Sequence, residues 1–266
     1  DPHVVAGFGG YPAFPVLAAA RSRKVPFVIH EQNAVLGRVN RLFSSSAVCV
    51  ASGFDRLDRA SGKADHKVVG NPVRAAVLDA AKARFEAPRA DGEFRLLVIG
   101  CSLGARMLSV TVPRAVAELP EDLRQRLKVV QQTREESLDE ARRLYAEAGV
   151  EAELALFFQD MGKLYADAHL VISRAGASSV SEIAAIGRPA IFVPLAIAMD
   201  DHQSANAQSL VEAGAAEAIS EADFTVLRLR ESLETAMSDG EALAARAEAA
   251  RSLGRPEAHE RLADLI

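Results

Sequence analysis

Short apolar runs alternate with stretches of helical periodicity along the chain. In its first part, the strand-length runs lie at residues 4–6, 27–30, 47–50 and 67–69. Two helical patterns, at residues 15–23 and 37–43, separate the first three of these runs. Strands separated by helices are typical of a parallel sheet that helices cover. This part of the chain therefore predicts half of a Rossmann-like domain.

A second alternation begins near residue 94. Its six strand-length runs lie at residues 94–100, 128–132, 153–156, 170–173, 190–193 and 216–219. Six strands are enough for a complete second domain, so the pattern predicts an α/β protein with doubly wound parallel sheets.

Three helical segments and one loop complete the predicted organisation. Residues 75–84 predict a helical linker between the two alternations, and the polar residues 88–92 predict a loop. The last two helices are predicted at residues 242–253 and 257–266, with Gly254 between them.

The composition agrees with this fold class and argues against one class of partner. A length of 266 residues suggests two domains at about 150 residues each. Hydrophobic residues make up 49% of the chain and aromatic residues 5%, with no tryptophan, which suits a layered α/β fold better than a β-sandwich. The net charge of -5, without a basic stripe interleaved with aromatic residues, argues against a nucleic-acid partner.

The cysteines and the hydropathy give expectations about the compartment. Cys49 and Cys101 lie far apart in apolar, strand-like contexts, so both are expected to be buried free thiols in a reducing compartment. No apolar run approaches the roughly 20 residues of a spanning helix. No signal peptide is visible either.

The stretch from Ser173 to Glu182, SRAGASSVSE, is typical of a nucleotide site. It follows a buried strand, and Gly176 permits a tight turn into a helix. The free backbone N–H groups of Ala177 to Val180, at the positive end of the helix dipole, can then bind a pyrophosphate. Glu182 lies too far along the helix to cap it and would be free to accept hydrogen bonds from a ribose diol. The same residues also fit a serine-capped helix start with Glu182 as a dipole partner, and the pattern alone leaves both open.

A second polar block, DDHQSAN at residues 200–206, follows the strand-like run at residues 190–193. Ligands of open α/β sheets bind outside the carboxyl ends of the strands. Gln203 and Asn206 are one helical turn apart, so their amides could bind sugar hydroxyls together. The alternative is an aspartate N-cap followed by solvated amides. A metal site is not expected, because no second histidine has ligand spacing.

Four further motifs accompany these blocks: GFGGYP at residues 7–12, HEQN at residues 30–33 with Gly37 and Asn40, VGNPVR at residues 69–74 and GCSLGA at residues 100–105. In this order and spacing, the six motifs resemble the MurG family, whose members add N-acetylglucosamine to lipid I in peptidoglycan synthesis. The resemblance covers nearly the whole chain. It implies the two-domain GT-B glycosyltransferase fold, with the first of two Rossmann-like domains incomplete.

The resemblance also implies a division of the chain. Residues 1–74 would belong to an N-terminal domain on the acceptor and membrane side, residues 75–254 would form the domain that binds UDP-N-acetylglucosamine, and residues 255–266 would form a helix crossing back to the first domain. The chain starts at Asp1 without a methionine, so a preceding segment is expected. In the family that segment carries a first glycine-rich loop and the candidate base, a histidine. The catalytic base is therefore unknown, and residues 1–266 alone are expected to bind UDP and not to transfer the sugar.

The family's functional positions can be carried over residue by residue. Its donor-binding positions correspond to Asn33, Arg74, Ser102, Phe158, Ala177, Ser178, Ser179, Val180, Ser181, Glu182 and Gln203. Its acceptor loop corresponds to Gly9, Gly10 and Tyr11, and the residues that shape the acceptor side correspond to His30, Glu31 and Asn40.

Three of these assignments have structural alternatives. Arg74 would neutralise diphosphate charge, or it would form a salt bridge between the domains. His30 would be a functional group or a structural hydrogen-bonding residue. The backbone of Phe158 would bind the uracil edge, and the same residues also fit two core phenylalanines, Phe157 and Phe158, before the N-cap Asp160.

The sequence departs from the family at three positions. Cys101 and Phe14 stand where glycine is usual, and Leu103 stands where glutamine is usual. A side chain at Cys101 restricts the backbone, and Leu103 removes an amide from the cleft. Weaker phosphate binding and a changed shape of the acceptor loop are expected.

The implied activity is inverting transfer of N-acetylglucosamine from UDP-N-acetylglucosamine to lipid I, without a covalent intermediate and without a metal or other cofactor. The expected partners are this donor, lipid I and a membrane surface, with the protein peripheral on the cytoplasmic side of the bacterial inner membrane. Arg21, Arg23 and Lys24 either complement a helix dipole or attract anionic lipid head groups.

Two other functions stay open. A UDP-sugar epimerase or hydrolase of the same fold would need catalytic carboxylates beyond Glu31 and Glu182. A binding module would hold the UDP-sugar without turning it over.

Overall fold

The computed structural model describes residues 2–60, 64–100, 105–196 and 201–266. The strands in these ranges are β1 (Val5–Gly7), β2 (Phe27–Glu31), β3 (Cys49–Ser52), β4 (Asp65–Val68), β5 (Phe94–Ile99), β6 (Leu127–Gln132), β7 (Glu151–Ala155), β8 (Leu170–Ser173), β9 (Ala190–Phe192) and β10 (Ala216–Ala218). The helices are α1 (Gly10–Ser22), α2 (Arg38–Ser44), α3 (Ala75–Ala80), α4 (Ala105–Ala117), α5 (Glu121–Arg126), α6 (Glu135–Glu147), α7 (Met161–Asp167), α8 (Ala177–Ile186), α9 (His202–Glu212), α10 (Val226–Ser238), α11 (Gly240–Ser252) and α12 (Ala258–Ala263).

The first four strands form a parallel sheet in the order β1-β2-β3-β4. Strand β2 is buried along its whole length. Beside this sheet, Leu17 and Ala20 of α1 and Phe43 of α2 pack with Phe27 and Ile29 in a small core. Because the strands are parallel, the residues that follow β1 and β2 lie at the same edge of the sheet.

The other six strands form a second parallel sheet in the order β10-β9-β8-β5-β6-β7. The order reverses between β5 and β8, which is the switch point of a doubly wound Rossmann sheet and the usual place for a ligand. Leu96 and Val98 point into the core on one face, and Leu97 and Ile99 point into the core on the other. Burial on both faces explains why these strands are continuous apolar runs.

Two helices connect the sheets. Helix α3 lies so close to α7 that a Cβ atom on Gly162 would come within 2.3 Å of the Ala76 carbonyl oxygen. At the other end of the chain, Leu262 of α12 packs with Ala51 and Val69 beside the first sheet. The chain therefore leaves the first sheet through α3 and comes back to it through α12.

All ten predicted strand-length runs form strands, but three helix predictions were wrong at one end; α12 ends at Ala263 and not at residue 266. Helix α1 begins at Gly10 and not at residue 15, because Pro12 occupies its first turn, where a missing N–H costs little. Helix α3 ends at Ala80 and not at residue 84. The carbonyl oxygen of Ala81, which a longer helix would pair with a later N–H, accepts a hydrogen bond from Arg251 Nη2 at 2.9 Å.

Candidate active site

The turn after β8 leads directly into α8 at the switch point of the second sheet. Gly176 is the residue before the helix, and within the described residues no side chain caps this end. The serine-capped interpretation was therefore wrong. The N–H groups of Ala177, Ser178 and Ser179 precede the first intrahelical hydrogen bond, so they can bind an anion at the positive end of the helix.

Val180 differs from the expectation that its N–H is free. That group donates to the carbonyl oxygen of Gly176 at 3.0 Å, and the Val180 side chain is buried in the core of the second sheet. The set of N–H groups that can face a phosphate therefore ends at Ser179. The contribution of Val180 is to pack the helix that carries this set.

Glu182 forms a bidentate ion pair with Arg74 across the boundary between the two sheets. Arg74 Nε donates to Glu182 Oε1 at 2.7 Å, and Arg74 Nη2 donates to Oε2 at 2.8 Å. The hydrogen bond to Glu182 raises the pKa of Arg74 above its usual value. Glu182 is buried, whereas 57% of the Arg74 side chain is exposed. The prediction that Glu182 is free was wrong for this state of the molecule, and the alternative assignment of Arg74 as an interdomain salt bridge describes it.

Asn71 forms a second bridge between the two sheets. Its Nδ2 group donates to the carbonyl oxygen of Gln32 and to Ser181 Oγ, both at 2.9 Å. Ser181 thus contacts the first-sheet side of the cleft. Sequence analysis identified Asn71 only as part of the VGNPVR motif, although an amide between Gly70 and Pro72, directly after a predicted strand, was a usable signal.

Glu31 is an acceptor for the loop that follows β2. Its carboxylate receives four hydrogen bonds, from Asn33 N at 3.0 Å, Asn33 Nδ2 at 3.3 Å, Gly37 N at 2.9 Å and Asn40 Nδ2 at 2.7 Å. Glu31 and Asn40 are both buried. They were expected to shape the acceptor side, and the contacts observed are those that fix the loop and the start of α2.

His30 is buried at the end of β2. Its Nε2 atom donates to the carbonyl oxygen of Gly70 at 2.9 Å, and its ring lies 5.7 Å from the ring of Phe8. Burial lowers the pKa of His30. Its Nδ1 atom is buried and has no hydrogen-bond partner among the described residues. Its observed role is the structural hydrogen bond to Gly70.

The predicted acceptor loop is shorter than expected. Gly9 has a left-handed φ of 77°, and a Cβ atom there would lie 2.9 Å from Asn40 Nδ2. Gly10 and Tyr11 already belong to the first turn of α1. Tyr11 is 85% exposed. The turn from β1 into α1 is therefore tight and lies against the buried Asn40.

The two amide side chains of the DDHQSAN block, those of Gln203 and Asn206, differ in burial and in hydrogen-bond partners. Gln203 is half-buried, and its Oε1 accepts a hydrogen bond from Leu195 N at 3.0 Å. Asn206 is fully buried: its Oδ1 accepts from Ala34 N at 2.8 Å, and its Nδ2 donates to Asn33 Oδ1 at 3.2 Å and to Ala175 O at 3.1 Å. The prediction that Asn206 binds sugar hydroxyls beside Gln203 was wrong, because its amide is already used.

The segment before α7 contradicts the alternative in which Phe157 and Phe158 are core residues. Phe157 is 72% exposed and Phe158 is half-buried, so they are not a pair of core phenylalanines. Asp160 caps α7, as expected, by accepting a hydrogen bond from Lys163 N at 3.1 Å. The backbone of Phe158 is thus carried on an open loop at the end of β7.

Some predicted features lie outside the described residues. Ser102, Cys101 and Leu103 are among them, and so is Asp200. Cys49, by contrast, is buried and free, as expected. Within the described ranges, no cluster of three or more histidine, cysteine or acidic side chains could hold a metal ion.

Sequence analysis did not identify Arg174 and Glu221 as functional residues. Arg174 is buried; its Nη2 pairs with Glu221 Oε1 at 2.7 Å and its Nη1 donates to Val193 O at 3.0 Å. Glu221 Oε2 also accepts from Ala196 N at 3.1 Å. This pair fixes the chain that leads from β9 toward Gln203. The signal was an arginine directly after a buried strand, since such a charge requires a partner.

The chain matches models of two domains: the glycosyltransferase family 28 C-terminal domain over residues 95–262 and the N-terminal domain over residues 1–52. A Maricaulis maris (strain MCS10) protein is 59% identical over 100% of this chain and 73% of its own length; it is named UDP-N-acetylglucosamine–N-acetylmuramyl-(pentapeptide) pyrophosphoryl-undecaprenol N-acetylglucosamine transferase. A crystal structure of Acinetobacter baumannii MurG covers 99% of this chain and 74% of its own, with a TM-score of 0.83 and 35% identity. The chain belongs to the MurG family.

The MurG likeness confirms the predicted GT-B fold and separates this chain from other proteins of that fold. A putative UDP-N-acetylglucosamine 2-epimerase from Listeria monocytogenes covers 98% of this chain and 73% of its own, with a TM-score of 0.68 but only 15% identity. That likeness is one of fold alone. Among the helices described, none has the length and apolar character needed to cross a membrane.

Proposed function

We propose that the protein transfers N-acetylglucosamine from UDP-N-acetylglucosamine to lipid I and forms lipid II in peptidoglycan synthesis. The observation that carries this proposal is the 59% identity to the Maricaulis maris transferase over the whole of this chain. The likeness to Acinetobacter baumannii MurG, at a TM-score of 0.83, supports it. The described geometry is compatible with each step of donor binding.

The donor diphosphate would lie at the N-terminus of α8. The N–H groups of Ala177, Ser178 and Ser179 point out of the helix there, and Arg74 lies across the cleft from α8. Ser102 would add a hydroxyl. As the bond to the sugar breaks, negative charge grows on the diphosphate, and fixed N–H groups together with a guanidinium stabilise it.

The ribose would bind at Glu182, which requires an exchange of partners. In the structure described, Arg74 occupies both oxygens of this carboxylate. Donor binding would move the guanidinium from Glu182 to the diphosphate and leave the carboxylate to accept from the ribose hydroxyls. A charge-assisted contact is thus replaced by another of the same kind, so the exchange costs less than breaking the ion pair would.

The N-acetylglucosamine and the uracil would lie on either side of the diphosphate and the ribose. Gln203 uses Oε1 for Leu195, which leaves its Nε2 group to donate to a sugar hydroxyl. Asn33 would approach the sugar from the first-sheet side. The backbone of Phe158, on the open loop before α7, would bind the uracil edge. Ser181, held by Asn71, would complete the donor side.

A direct displacement with inversion fits the state of the two cleft carboxylates. Glu31 receives four hydrogen bonds, and Glu182, once Arg74 has moved to the diphosphate, would accept from the ribose hydroxyls. A carboxylate so engaged is a poor nucleophile, because attack would break its contacts. The acceptor hydroxyl of lipid I would attack the anomeric carbon as UDP leaves. The base that takes its proton is not assigned to a residue of this chain.

The acceptor and a membrane surface would meet the first-sheet side, residues 1–74, with the final residues 255–266 packed behind it. Phe8, Tyr11, Phe14 and Val16 are all exposed around the start of α1 and form an apolar patch. Arg21 and Arg23 are exposed at the end of the same helix. Apolar side chains beside basic ones suit a surface of anionic lipid, which would place the protein peripherally at the cytoplasmic face of the bacterial inner membrane.

The same carboxylates weigh against the epimerase or hydrolase alternative. Such an enzyme needs an available acid and base in the cleft, whereas Glu31 holds the loop after β2 and Glu182 would hold the ribose. A binding module remains the second candidate, because the donor contacts do not by themselves require turnover.

Calorimetry combined with product analysis tests the proposal. UDP-N-acetylglucosamine should bind, and any sugar that is released from UDP should appear on a lipid I analogue with inverted anomeric configuration. Free N-acetylglucosamine or its C2 epimer as the product would contradict the proposal. Tight donor binding without any turnover, by a chain that spans the full length of the Maricaulis maris relative, would favour the binding module.

A further inference from the structure

Asn206 lies where three segments of the chain meet. It belongs to α9, and within hydrogen-bond distance it contacts the turn between β8 and α8 at Ala175 and the loop after β2 at Asn33 and Ala34. The sequence separation between Asn206 and Ala34 is 172 residues. No other part of the proposed function uses this side chain.

The hydrogen-bond donor and acceptors around Asn206 match the oxygen and the Nδ2 group of an asparagine side chain. Ala34 presents a backbone N–H, and Ala175 presents a backbone carbonyl oxygen. The Asn206 amide offers its oxygen to the first and its Nδ2 group both to the second and to Asn33 Oδ1. A leucine of similar size would leave both backbone groups buried without partners, and an aspartate would place a carboxylate oxygen against the carbonyl oxygen of Ala175.

The partner on the first-sheet side is itself fixed. Asn33 Nδ2 donates to Glu31 Oε1 at 3.3 Å, and the other oxygen of Glu31 accepts from Gly37 N and Asn40 Nδ2. Asn206 therefore holds an amide that is already anchored to the first sheet. The contacts form a continuous buried chain of polar groups from α9 to the start of α2.

We propose that Asn206 is a positioning residue that holds the loop Asn33–Ala34 against the nucleotide-binding turn at Ala175, so that both sides of the cleft meet a donor sugar together. The inference rests on the proposed function for the identity of the ligand. Asn206 does not touch the donor. It acts through Asn33 on one side of the cleft and through Ala175 on the other.

The position of Asn206 predicts different effects on two ligands. UDP can be held by the second-sheet side alone, at the N-terminus of α8, whereas the sugar extends toward Asn33. Loss of the Asn206 amide should therefore weaken binding of UDP-N-acetylglucosamine more than binding of UDP. A purely structural role would weaken both ligands equally.

The test compares the wild-type chain with Asn206→Ala and with Gln208→Ala as a matched control. Gln208 is on the same helix, and its Nε2 group bonds Glu212 within that helix. Calorimetry should show that Asn206→Ala loses about tenfold in affinity for UDP-N-acetylglucosamine and less than about threefold for UDP. Gln208→Ala should match the wild type for both ligands.

Amide exchange gives a readout that needs no ligand. The Ala34 N–H donates to Asn206 Oδ1, so it should exchange faster in Asn206→Ala, while the N–H of Ile172, inside the second sheet, keeps its protection. Asn206→Asp retains the acceptor and should keep Ala34 protected while still losing sugar affinity. Equal losses for UDP and the UDP-sugar, or an unchanged Ala34 amide in Asn206→Ala, would overturn the inference. Failure of the wild-type chain to bind UDP-N-acetylglucosamine would instead overturn the proposed function.

Discussion

Arg74 and Glu182 face each other across the cleft and share two hydrogen bonds of 2.7 and 2.8 Å. Arg74 precedes α3 and Glu182 lies in α8, so the pair ties the exit from the first sheet to the nucleotide-binding helix. The pair is asymmetric, because the carboxylate is buried and the guanidinium is mostly exposed. This asymmetry lets Arg74 move toward a ligand while Glu182 stays in place.

Replacing Glu182 tests its assignment to the ribose. Glu182→Ala should weaken binding of UDP and of UDP-N-acetylglucosamine by about 1 to 3 kcal/mol, because the ribose hydroxyls lose a charged acceptor. Calorimetry measures the change. Glu212→Ala, at the far end of α9, is the control and should bind like the wild type. Unchanged affinity in Glu182→Ala would assign Glu182 to the ion pair and to helix stability alone.

Gln203→Ala should affect the sugar more than the nucleotide. In the proposed function the Nε2 group of Gln203 would donate to a sugar hydroxyl, while its oxygen accepts a hydrogen bond from Leu195 N. The variant should lose discrimination between N-acetylglucosamine and its C4 epimer by about fivefold to tenfold, with a smaller loss for UDP. Competition binding with the two UDP-sugars measures this ratio. Equal losses for all ligands would show that Gln203 only supports the chain after β9.

Local patterns in the sequence were sufficient to predict the strands and the turn from β8 into α8. The run at residues 170–173 forms β8 with the same ends, because a buried parallel strand is marked by its own apolar residues. The helix after Gly176 follows from the same short stretch. What defines these elements lies within a few residues of them.

The contacts across the cleft could not be predicted in this way. Arg74 and Glu182 are 108 positions apart, and Ala34 and Asn206 are 172 apart. Sequence spacing on one helix placed Gln203 and Asn206 together, but Asn206 belongs to the contact between the sheets. The early end of α3 likewise depends on Arg251, which is distant in sequence. Contacts between residues that are distant in sequence determine these features, and local sequence propensity carries no information about such contacts.

The stability of the second sheet should depend on pH through His169. Burial, followed by the nearby charge of Arg95, lowers the pKa of His169 to about 4. The unfolded chain takes up a proton below about pH 6.5 and the folded chain does not, so the free energy of unfolding falls as pH decreases from 6.5 toward 4. The contribution between pH 7 and pH 5 is roughly 2 kcal/mol.

Urea unfolding of His169→Gln at both pH values isolates this contribution from that of other groups. The variant should be less sensitive to the change of pH than the wild type is. His259→Gln, at an exposed position on α12, should keep the wild-type dependence. Identical pH dependence in His169→Gln and the wild type would rule out His169 as the source.

The apolar patch of Phe8, Tyr11, Phe14 and Val16 should bind lipid surfaces. Tyr11→Ser combined with Phe14→Ser should weaken binding to vesicles that contain anionic lipid by roughly 2 to 4 kcal/mol, because two exposed aromatic rings no longer leave water. Vesicle co-sedimentation measures the partition. Phe157→Ser, which removes an exposed ring on the second-sheet side, should leave it unchanged. Equal loss in both variants would contradict a specific surface on the first-sheet side.

A crystal structure of the protein with UDP-N-acetylglucosamine tests the central claim most directly. The account predicts the diphosphate on the N–H groups of Ala177 to Ser179, the ribose hydroxyls on Glu182, and Arg74 moved from Glu182 onto the diphosphate. The sugar should lie between Gln203 and Asn33. A donor bound elsewhere, or bound in the cleft with the Arg74–Glu182 pair intact and the ribose away from Glu182, would contradict the account.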